Sequence, residues 1–360
     1  FLSHPSHLLI FQNILFSWEN KLHVTSSSTP SNLPFPSGTG RYAPSPSGDL
    51  HLGNLRTAIL AWAMARRGGK SFYLRVEDLD RVRPGAAERQ IADLAALGLD
   101  WEASPGASAE RIEGSESTEG KEAGVLYQST RLAAYEQAVQ QLREAGLVYE
   151  CFCTRREIQE ASSAPHGAPG AYPGTCRDLS EDQREERRTQ RPPALRLRAE
   201  CASYTVQDDF YGAYTGLVDD FVLVRNDGTY AYNLTSVVDD AFVGVEQIVR
   251  GDDLLPSAPR QSYLAQLLGL TQPRYAHVPL ALNEEGKRLA KRDGAVTLPQ
   301  LREAGVEIPT ILGWIAASIP VYNADGSTHS ADVPVPNAAA ILERFDPARM
   351  ATEPWVVRDL

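Results

Sequence analysis

The chain has 360 residues, 42% of them hydrophobic and 22% charged, which suits about two soluble globular domains with ample core. A net charge of -11 argues against bulk binding to nucleic acid or an anionic membrane, so any nucleic-acid partner must meet a local basic patch. Four cysteines are too few for a disulfide scaffold, and three of them cluster in a way that reads as metal binding.

Residues 1–38 begin Phe1-Leu2-Ser3-His4 and carry an apolar stretch broken by Gln12 and Asn13, then a Ser/Thr/Pro linker. That stretch is too short for a membrane span, and neither a basic leader nor a cleavage site is clear. A dispensable, disordered extension is expected there, ahead of a cytoplasmic protein with no membrane contact. Periodic structure starts near Gly40. A short strand around Arg41-Tyr42-Ala43 meets a Pro/Ser/Gly turn, and a helix from about Asn54 to Arg67 follows, with Leu55, Ala58, Ile59, Trp62 and Ala63 on one face. Ser71 to Val76 alternates like a strand, and Ala86 to Leu97 is a second helix closed by Gly98. This β-α-β-α order predicts an α/β fold around a parallel sheet. Ala103 to Gly124 reads as a surface insertion, and Thr130 to Ala145 as an amphipathic helix. The pattern turns irregular from Cys151 to Asp227, where a second domain is expected. Sheet-like sequence returns at Tyr230 and at Glu246 to Val249, then a helix at Ala258 to Leu268. From about Leu298 the chain is α-rich, broken by a loop at Asn323 to Ser330.

The string Pro44-Ser45-Pro46-Ser47-Gly48-Asp49-Leu50-His51-Leu52-Gly53-Asn54 lies between a strand and a helix. Free amide groups and the helix dipole favour a phosphate there, and the glycines admit a close ligand. His51 can donate to a phosphate oxygen whose charge grows during transfer. By itself the string could equally be a turn with a satisfied surface histidine.

Taken with Arg41-Tyr42-Ala43 before it, the string closely resembles the HIGH signature of class I aminoacyl-tRNA synthetases in the form of the glutamyl and glutaminyl branch. The resemblance continues through Arg75-Val76-Glu77-Asp78-Leu79-Asp80, Leu97-Gly98-Leu99-Asp100-Trp101, Tyr230-Ala231-Tyr232-Asn233-Leu234, Val238-Asp239-Asp240 and Ile248 to Leu254. It covers most of the chain from Gly40 to about Leu298. Arg288-Leu289-Ala290-Lys291-Arg292 occupies the place of the KMSKS loop, with Lys291 matching its second lysine. Arg288 and Ala290 depart from the usual lysine and serine, so the charge is kept and a hydroxyl is lost.

The resemblance implies ATP-dependent activation of L-glutamate, with Mg2+ accompanying ATP. His51 and Lys291 would be catalytic. Residues 44–54 together with Arg288, Leu289, Ala290, Lys291 and Arg292 would bind ATP. Glutamate would be held by Arg41, Tyr42, Ala43, Pro44, Ser45, Glu77, Tyr232 and Arg250, with the arginines on carboxylates and Glu77 and Tyr232 on the ammonium. Charge logic agrees, since arginine suits a carboxylate through paired charge-assisted hydrogen bonds. Arg250 is assigned the side-chain carboxylate.

Cys151-Phe152-Cys153 followed by Cys176 is a moderate zinc signal that leaves one tetrahedral position open. The pattern Cys-x-Cys…Tyr-x-x-x-Cys resembles the site of the glutamyl-Q tRNA(Asp) synthetase family, which implies Tyr172 as the fourth ligand of one structural zinc. His166 and Cys201 compete for that position. The chain runs only from 293 to 360 beyond the second signature, too short for a complete anticodon-binding region. That length and the Tyr-containing spacing imply transfer of glutamate to queuosine in the anticodon of tRNA(Asp). A truncated discriminating glutamyl-tRNA synthetase and a non-catalytic tRNA- or nucleotide-binding paralogue are the alternatives. A basic face at Arg184 to Arg198 is the candidate RNA contact. The expected organisation is an extension (1–38), the first half of a Rossmann-type catalytic domain (39–150), an inserted zinc-bearing α+β domain (151–229), the second catalytic half with the KMSKS-like loop (230–297) and a helical C-terminal segment (298–360), in a monomer.

Overall fold

The structure, a computed structural model, describes residues 37–105, 124–162, 171–287, 289 and 296–357. Expectations for residues 1–36, His166, Arg288, Ala290, Lys291 and Arg292 therefore fall outside the described residues.

Strand β1 (Gly40–Tyr42) is wholly buried and feeds the phosphate-type loop. Helix α1 (Leu52–Arg67) follows, and it begins two residues earlier than its periodicity predicts because His51 caps it. Its apolar face buries Leu55, Ala58, Ile59 and Trp62, and Arg66 and Arg67 sit in the last turn, where a cation suits the dipole. The chain returns as β2 (Phe72–Val76), parallel to β1 with Arg41 opposite Tyr73. Helix α2 (Ala86–Ala96) ends before Gly98, whose φ of 86° suits a residue without a Cβ. Strand β3 (Leu126–Tyr127) then pairs parallel with β2.

After α3 (Leu132–Glu144) come β4 (Val148–Cys151), α4 (Arg155–Ser162), α5 (Glu181–Arg188), β5 (Ala194–Leu197), β6 (Ser203–Asp208), β7 (Gly212–Leu217) and β8 (Val222–Val224). Strands β4, β5 and β8 form a small antiparallel sheet. The β6–β7 hairpin does not join it. It lies on the edge of the catalytic sheet, with β6 parallel to β10 (Arg274–Val278), because Val206 packs with Ile248 and Tyr275. The span 151–229 is thus split between two sheets, where the sequence suggested one insert.

Tyr230 bridges Val224, in keeping with its sheet-like sequence. Helix α6 (Tyr232–Phe242) follows at once, with Leu234, Val237 and Asp240 facing inward. Strand β9 (Gln247–Gly251) pairs parallel with β10 across α7 (Ala258–Leu267). It also lies beside β1, where the Glu246 and Gln247 amides both donate to the Thr39 carbonyl. Strand β11 (Ala281–Leu282) pairs with the late strand β12 (Trp355–Val356). Helices α8 (Leu298–Glu303), α9 (Ile308–Ala317) and α10 (Ala338–Leu342) share one core with α1, through Ile311, Leu312, Ile315 and Phe345. Among the described residues no helix is long and apolar enough to cross a membrane.

A buried charge cluster joins these parts. Asp240 on α6 accepts from Arg75 Nη1 at 2.6 Å and from Arg41 Nε at 3.1 Å, tying β2 and β1 to one helix. Its neighbour Asp239 accepts from Tyr135 Oη, Gln128 Nε2 and Arg131 Nε at 2.7, 3.0 and 2.7 Å. Burial alone would raise the Asp240 pKa, but Arg41 and Arg75 overrule it and hold the carboxyl below its ordinary range.

Replacing Asp240 by alanine strips a buried pair of one partner and is expected to lower stability by about 3–5 kcal/mol, measured by denaturant unfolding. A depressed pKa gives stability that is present above the unfolded aspartate range and is lost as pH falls through the folded value. The gap between wild type and variant should therefore persist from neutral pH down to about pH 4 and close only below it.

Candidate functional site

A cleft of about 1410 Å³ opens over the C-terminal ends of β1, β2 and β9. This is where open parallel sheets place ligands. It is lined by Arg41, Tyr42, Ala43, Pro44, Ser45, Ser47, Gly48, Asp49, Leu50, His51, Gly53 and Asn54, by Glu77, Tyr232 and Arg250, and by Leu289. Most of the residues singled out in the sequence are thus brought to one place. Pro46 and Leu52 are not on the lining; Leu52 is 1% exposed and belongs to the core under α1.

The loop is fixed from several sides. His51 Nδ1 accepts from the Asn54 amide at 3.3 Å, and the Asn54 side chain accepts in return from the His51 amide. This capping box leaves the imidazole proton on Nε2, so His51 caps α1 and is in the tautomer that can donate. Gln90 Nε2 donates to the carbonyls of Ser45 and Gly48 at 3.1 and 2.6 Å. The loop also bridges to the chain beyond the second signature: the Leu52 amide meets the Val296 carbonyl, and the Leu298 amide meets the Leu50 carbonyl. On the near side, the Leu289 amide donates to the Ala281 carbonyl.

The charged residues divide by partner. Arg41, 5% exposed, is engaged by Asp240 and by the Val249 carbonyl while lining the cleft. Glu77 Oε1 accepts from Arg75 at 3.2 Å, and Ser45 Oγ lies 3.5 Å from its Oε2. Burial is the largest influence on Glu77 and raises its pKa, with Arg75 and Arg41 pulling the other way. Arg250 reaches Tyr232 Oη at 3.3 Å, His277 Nε2 at 3.0 Å and Gln261 Oε1 at 2.7 Å. Sequence reasoning missed Arg75, Gln90, Asp208, Asp240, Gln261 and His277 as site residues. Arg75 and Asp240 stood in quoted motifs, but nothing local marked them as one cluster.

Cys151 and Cys153 line the same cleft, and with Cys176 they bring their sulfurs within 4.8 Å of one another, a group that could hold a metal ion. Tyr172 Oη lies 3.3 Å from Cys151 Sγ and 3.5 Å from Cys153 Sγ, beside this group. The Phe152 amide and Arg187 Nη1 both donate to Cys176 Sγ, at 3.5 and 3.4 Å. The hydrogen bond from Cys153 is the main cause that lowers the Cys151 pKa, and burial opposes it. Of the two alternatives to Tyr172, Cys201 is absent from this cluster and His166 lies outside the described residues.

The expected basic face at Arg184 to Arg198 is largely neutralised. Arg188 is paired with Glu150 and Glu181, Arg184 with Glu181, Arg191 with Glu157 and Arg198 with Asp178. Mixed charge in the run buys intramodule ion pairs in place of an open cationic patch.

The family model for the catalytic domain of class I tRNA synthetases (E and Q) matches residues 39–317. The chain is 57% identical over 323 residues to a glutamyl-Q tRNA(Asp) synthetase of Nocardia farcinica, across 89% of this chain and 94% of that protein. It is 44% identical over 317 residues to a glutamyl-Q tRNA(Asp) synthetase of Cutibacterium acnes, across 86% and 84%. The crystal structure of a glutamate tRNA ligase from Elizabethkingia meningosepticum, in complex with its amino acid, superposes with a TM-score of 0.68 at 25% identity. That match covers 88% of this chain and 66% of the longer one.

Gln90 offers a direct test of how the loop is held. Gln90→Ala leaves the Ser45 and Gly48 carbonyls without their shared donor and is expected to cost about 1–3 kcal/mol in denaturant unfolding. A substitution at the exposed Ala92 of the same helix, Ala92→Gln, should stay within about 0.5 kcal/mol of wild type.

Proposed function

We propose, since this chain belongs to the class I tRNA-synthetase (E and Q) catalytic family and to its glutamyl-Q tRNA(Asp) synthetase members, that it activates L-glutamate with ATP and transfers it to the queuosine of tRNA(Asp). The observation that carries the activation half is the convergence of the capped loop, Arg41, Glu77, Tyr232 and Arg250 on one cleft. The acceptor is inferred from the relatives' names.

In the first step an α-carboxylate oxygen of glutamate attacks the α-phosphorus of ATP in line, the bond to the bridging oxygen breaks, and pyrophosphate leaves. Mg2+ accompanying ATP would neutralise phosphate charge. His51, with its proton on Nε2, is suited to donate toward the phosphate oxygens from the start of α1, where the dipole also favours negative charge. Lys291, outside the described residues, is assigned to the leaving pyrophosphate as a point charge on a flexible stem. Arg250 takes the side-chain carboxylate and Arg41 the α-carboxylate. Glu77 and Tyr232, with Ser45 and the Ala43 backbone beside them, take the ammonium. In the second step a hydroxyl of the queuosine cyclopentenediol attacks the acyl carbon and AMP leaves. That diol mimics the terminal ribose of an ordinary acceptor, so a site built for one accepts the other.

Cys151, Cys153, Tyr172 and Cys176 are the proposed ligands of a single structural zinc. Tetrahedral Zn–S bonds of about 2.3 Å would set the sulfurs about 3.8 Å apart, close to the 3.5 Å between Cys153 and Cys176. The metal would brace the β4–β5–β8 module.

Two measurements test these assignments. Labelled glutamate should be transferred to queuosine-containing tRNA(Asp) even after its 3′-terminal adenosine is removed, and not to the same tRNA carrying guanosine in place of queuosine. Dependence on an intact terminal adenosine of tRNA(Glu) would identify an ordinary glutamyl-tRNA synthetase instead. Metal analysis of protein purified without added metal should find zinc in equimolar amount, and Tyr172→Phe should weaken its retention against a chelator.

A further inference from the structure

The arginines of the cleft do not share one electrostatic state. Arg41 and Arg75 are each matched by a carboxylate. Arg250 is 5% exposed, yet among the described residues its partners are all neutral: His277 Nε2, Tyr232 Oη, Gln261 Oε1 and the Leu254 carbonyl. Its guanidinium is therefore fixed in plane by acceptors that leave the full positive charge available to a ligand.

His277 is central to this arrangement. It lies directly across from Arg250 in the β9–β10 ladder and is fully buried. Nδ1 meets Asp208 Oδ2 at 2.6 Å, and Nε2 accepts from Arg250 Nε at 3.0 Å. Arg250 has only donors to offer, so Nε2 must be a lone pair and the proton must sit on Nδ1. Asp208 enforces that tautomer. Its own position is set by the turn of the β6–β7 hairpin, where Oδ1 accepts from the amides of Phe210 and Tyr211 at 2.9 and 3.0 Å. Oδ2 accepts in addition from the His277 amide at 3.1 Å. Burial, the largest cause, lowers the His277 pKa, in keeping with a neutral ring. A carboxylate placed directly on Arg250 would weaken its attraction for a second one. Placed one imidazole away, Asp208 orients the arginine without occupying it.

We infer that Asp208 and His277 form a positioning relay that presents Arg250 to the side-chain carboxylate of the amino-acid substrate. The inference rests on the reading that Arg250 binds that carboxylate. It makes the hairpin, which the sequence assigned to the insert, a support behind the amino-acid pocket.

The test uses the full chain in ATP–pyrophosphate exchange, with separate KM values for glutamate and ATP. His277→Asn keeps a donor toward Asp208 and withdraws the acceptor from Arg250, whereas His277→Gln can return an acceptor near the Nε2 position. The Asn variant should raise the glutamate KM by about 10- to 100-fold, the range for losing a hydrogen bond to a charged group, with the ATP KM within about 2-fold. The Gln variant should recover most of that loss. If a His277 variant does not fold, Asp208→Asn carries the same test, because its amide turns the ring proton onto Nε2 against the Arg250 Nε–H, as in the wrong-tautomer logic of catalytic triads. Equal shifts in both KM values, or a glutamate KM unchanged in a folded variant, overturn the relay. Arg250→Lys separates the two levels. If it raises the glutamate KM while the relay variants do not, the relay alone fails. If it leaves the glutamate KM unchanged, the reading of Arg250 and the relay fall together.

Discussion

The Asp240 carboxylate, buried between Arg41 and Arg75, is the interaction on which the rest of the catalytic structure depends. The two arginines stand on adjacent parallel strands, and the aspartate reaches them from a helix nearly two hundred residues later. One buried anion thereby fixes the seam between the two halves of a split nucleotide fold. Because a buried charge without its partner is costly, the halves are selected as a unit. The adjacent Asp239 continues the constraint outward through Tyr135, Gln128 and Arg131.

The same seam sets the chemistry of the cleft. Arg41 enters it already matched by a carboxylate, while Arg250 enters it among neutral acceptors. Two arginines lining one cleft thus differ in how much attraction they retain for an incoming anion. A low-dielectric surrounding enlarges that difference. The loop beneath is held with similar economy: the histidine at the head of α1 caps the helix with one ring nitrogen and keeps the other protonated. Local structure and phosphate chemistry therefore draw on the same side chain.

The cysteine cluster, two of whose members line the same cleft, is held by a different logic. Three sulfurs and a phenol lie close together because amide and guanidinium donors surround them, and the guanidinium of Arg196 packs 3.7 Å from the centre of the Tyr172 ring. The nearby arginine-rich run pairs Arg188 with Glu150 and Glu181, and Arg191, just past the helix, with Glu157. Its contribution is to the rigidity of the module. The overall negative charge of the chain is thus not relieved by that run.

By itself the sequence determined the β-α-β-α order of the first half, the loop from Pro44 to Asn54 and the cysteine spacing, because each is written in consecutive residues whose periodicity or turn chemistry is local. The helices at Leu52–Arg67 and Ala86–Ala96 were legible from their apolar spacing. Ordered motifs also named Arg41, Glu77, Tyr232 and Arg250, all of which line one cleft. Tertiary structure alone decided what those residues contact. The helix at Tyr232–Phe242 was not read from the sequence, and it is set by the packing of its inward face, Leu234, Val237 and Asp240, since burial overrides propensity. The hairpin at Ser203–Leu217 joins the catalytic sheet through β10, a pairing across more than sixty residues that no local signal specifies. His277 carries no motif at all. It becomes part of the site only because parallel pairing sets it opposite Arg250 and the hairpin turn sets Asp208 behind it. Residue type and local spacing report what chemistry a chain can perform, whereas long-range pairing in a low-dielectric interior decides which charges are matched and which remain available.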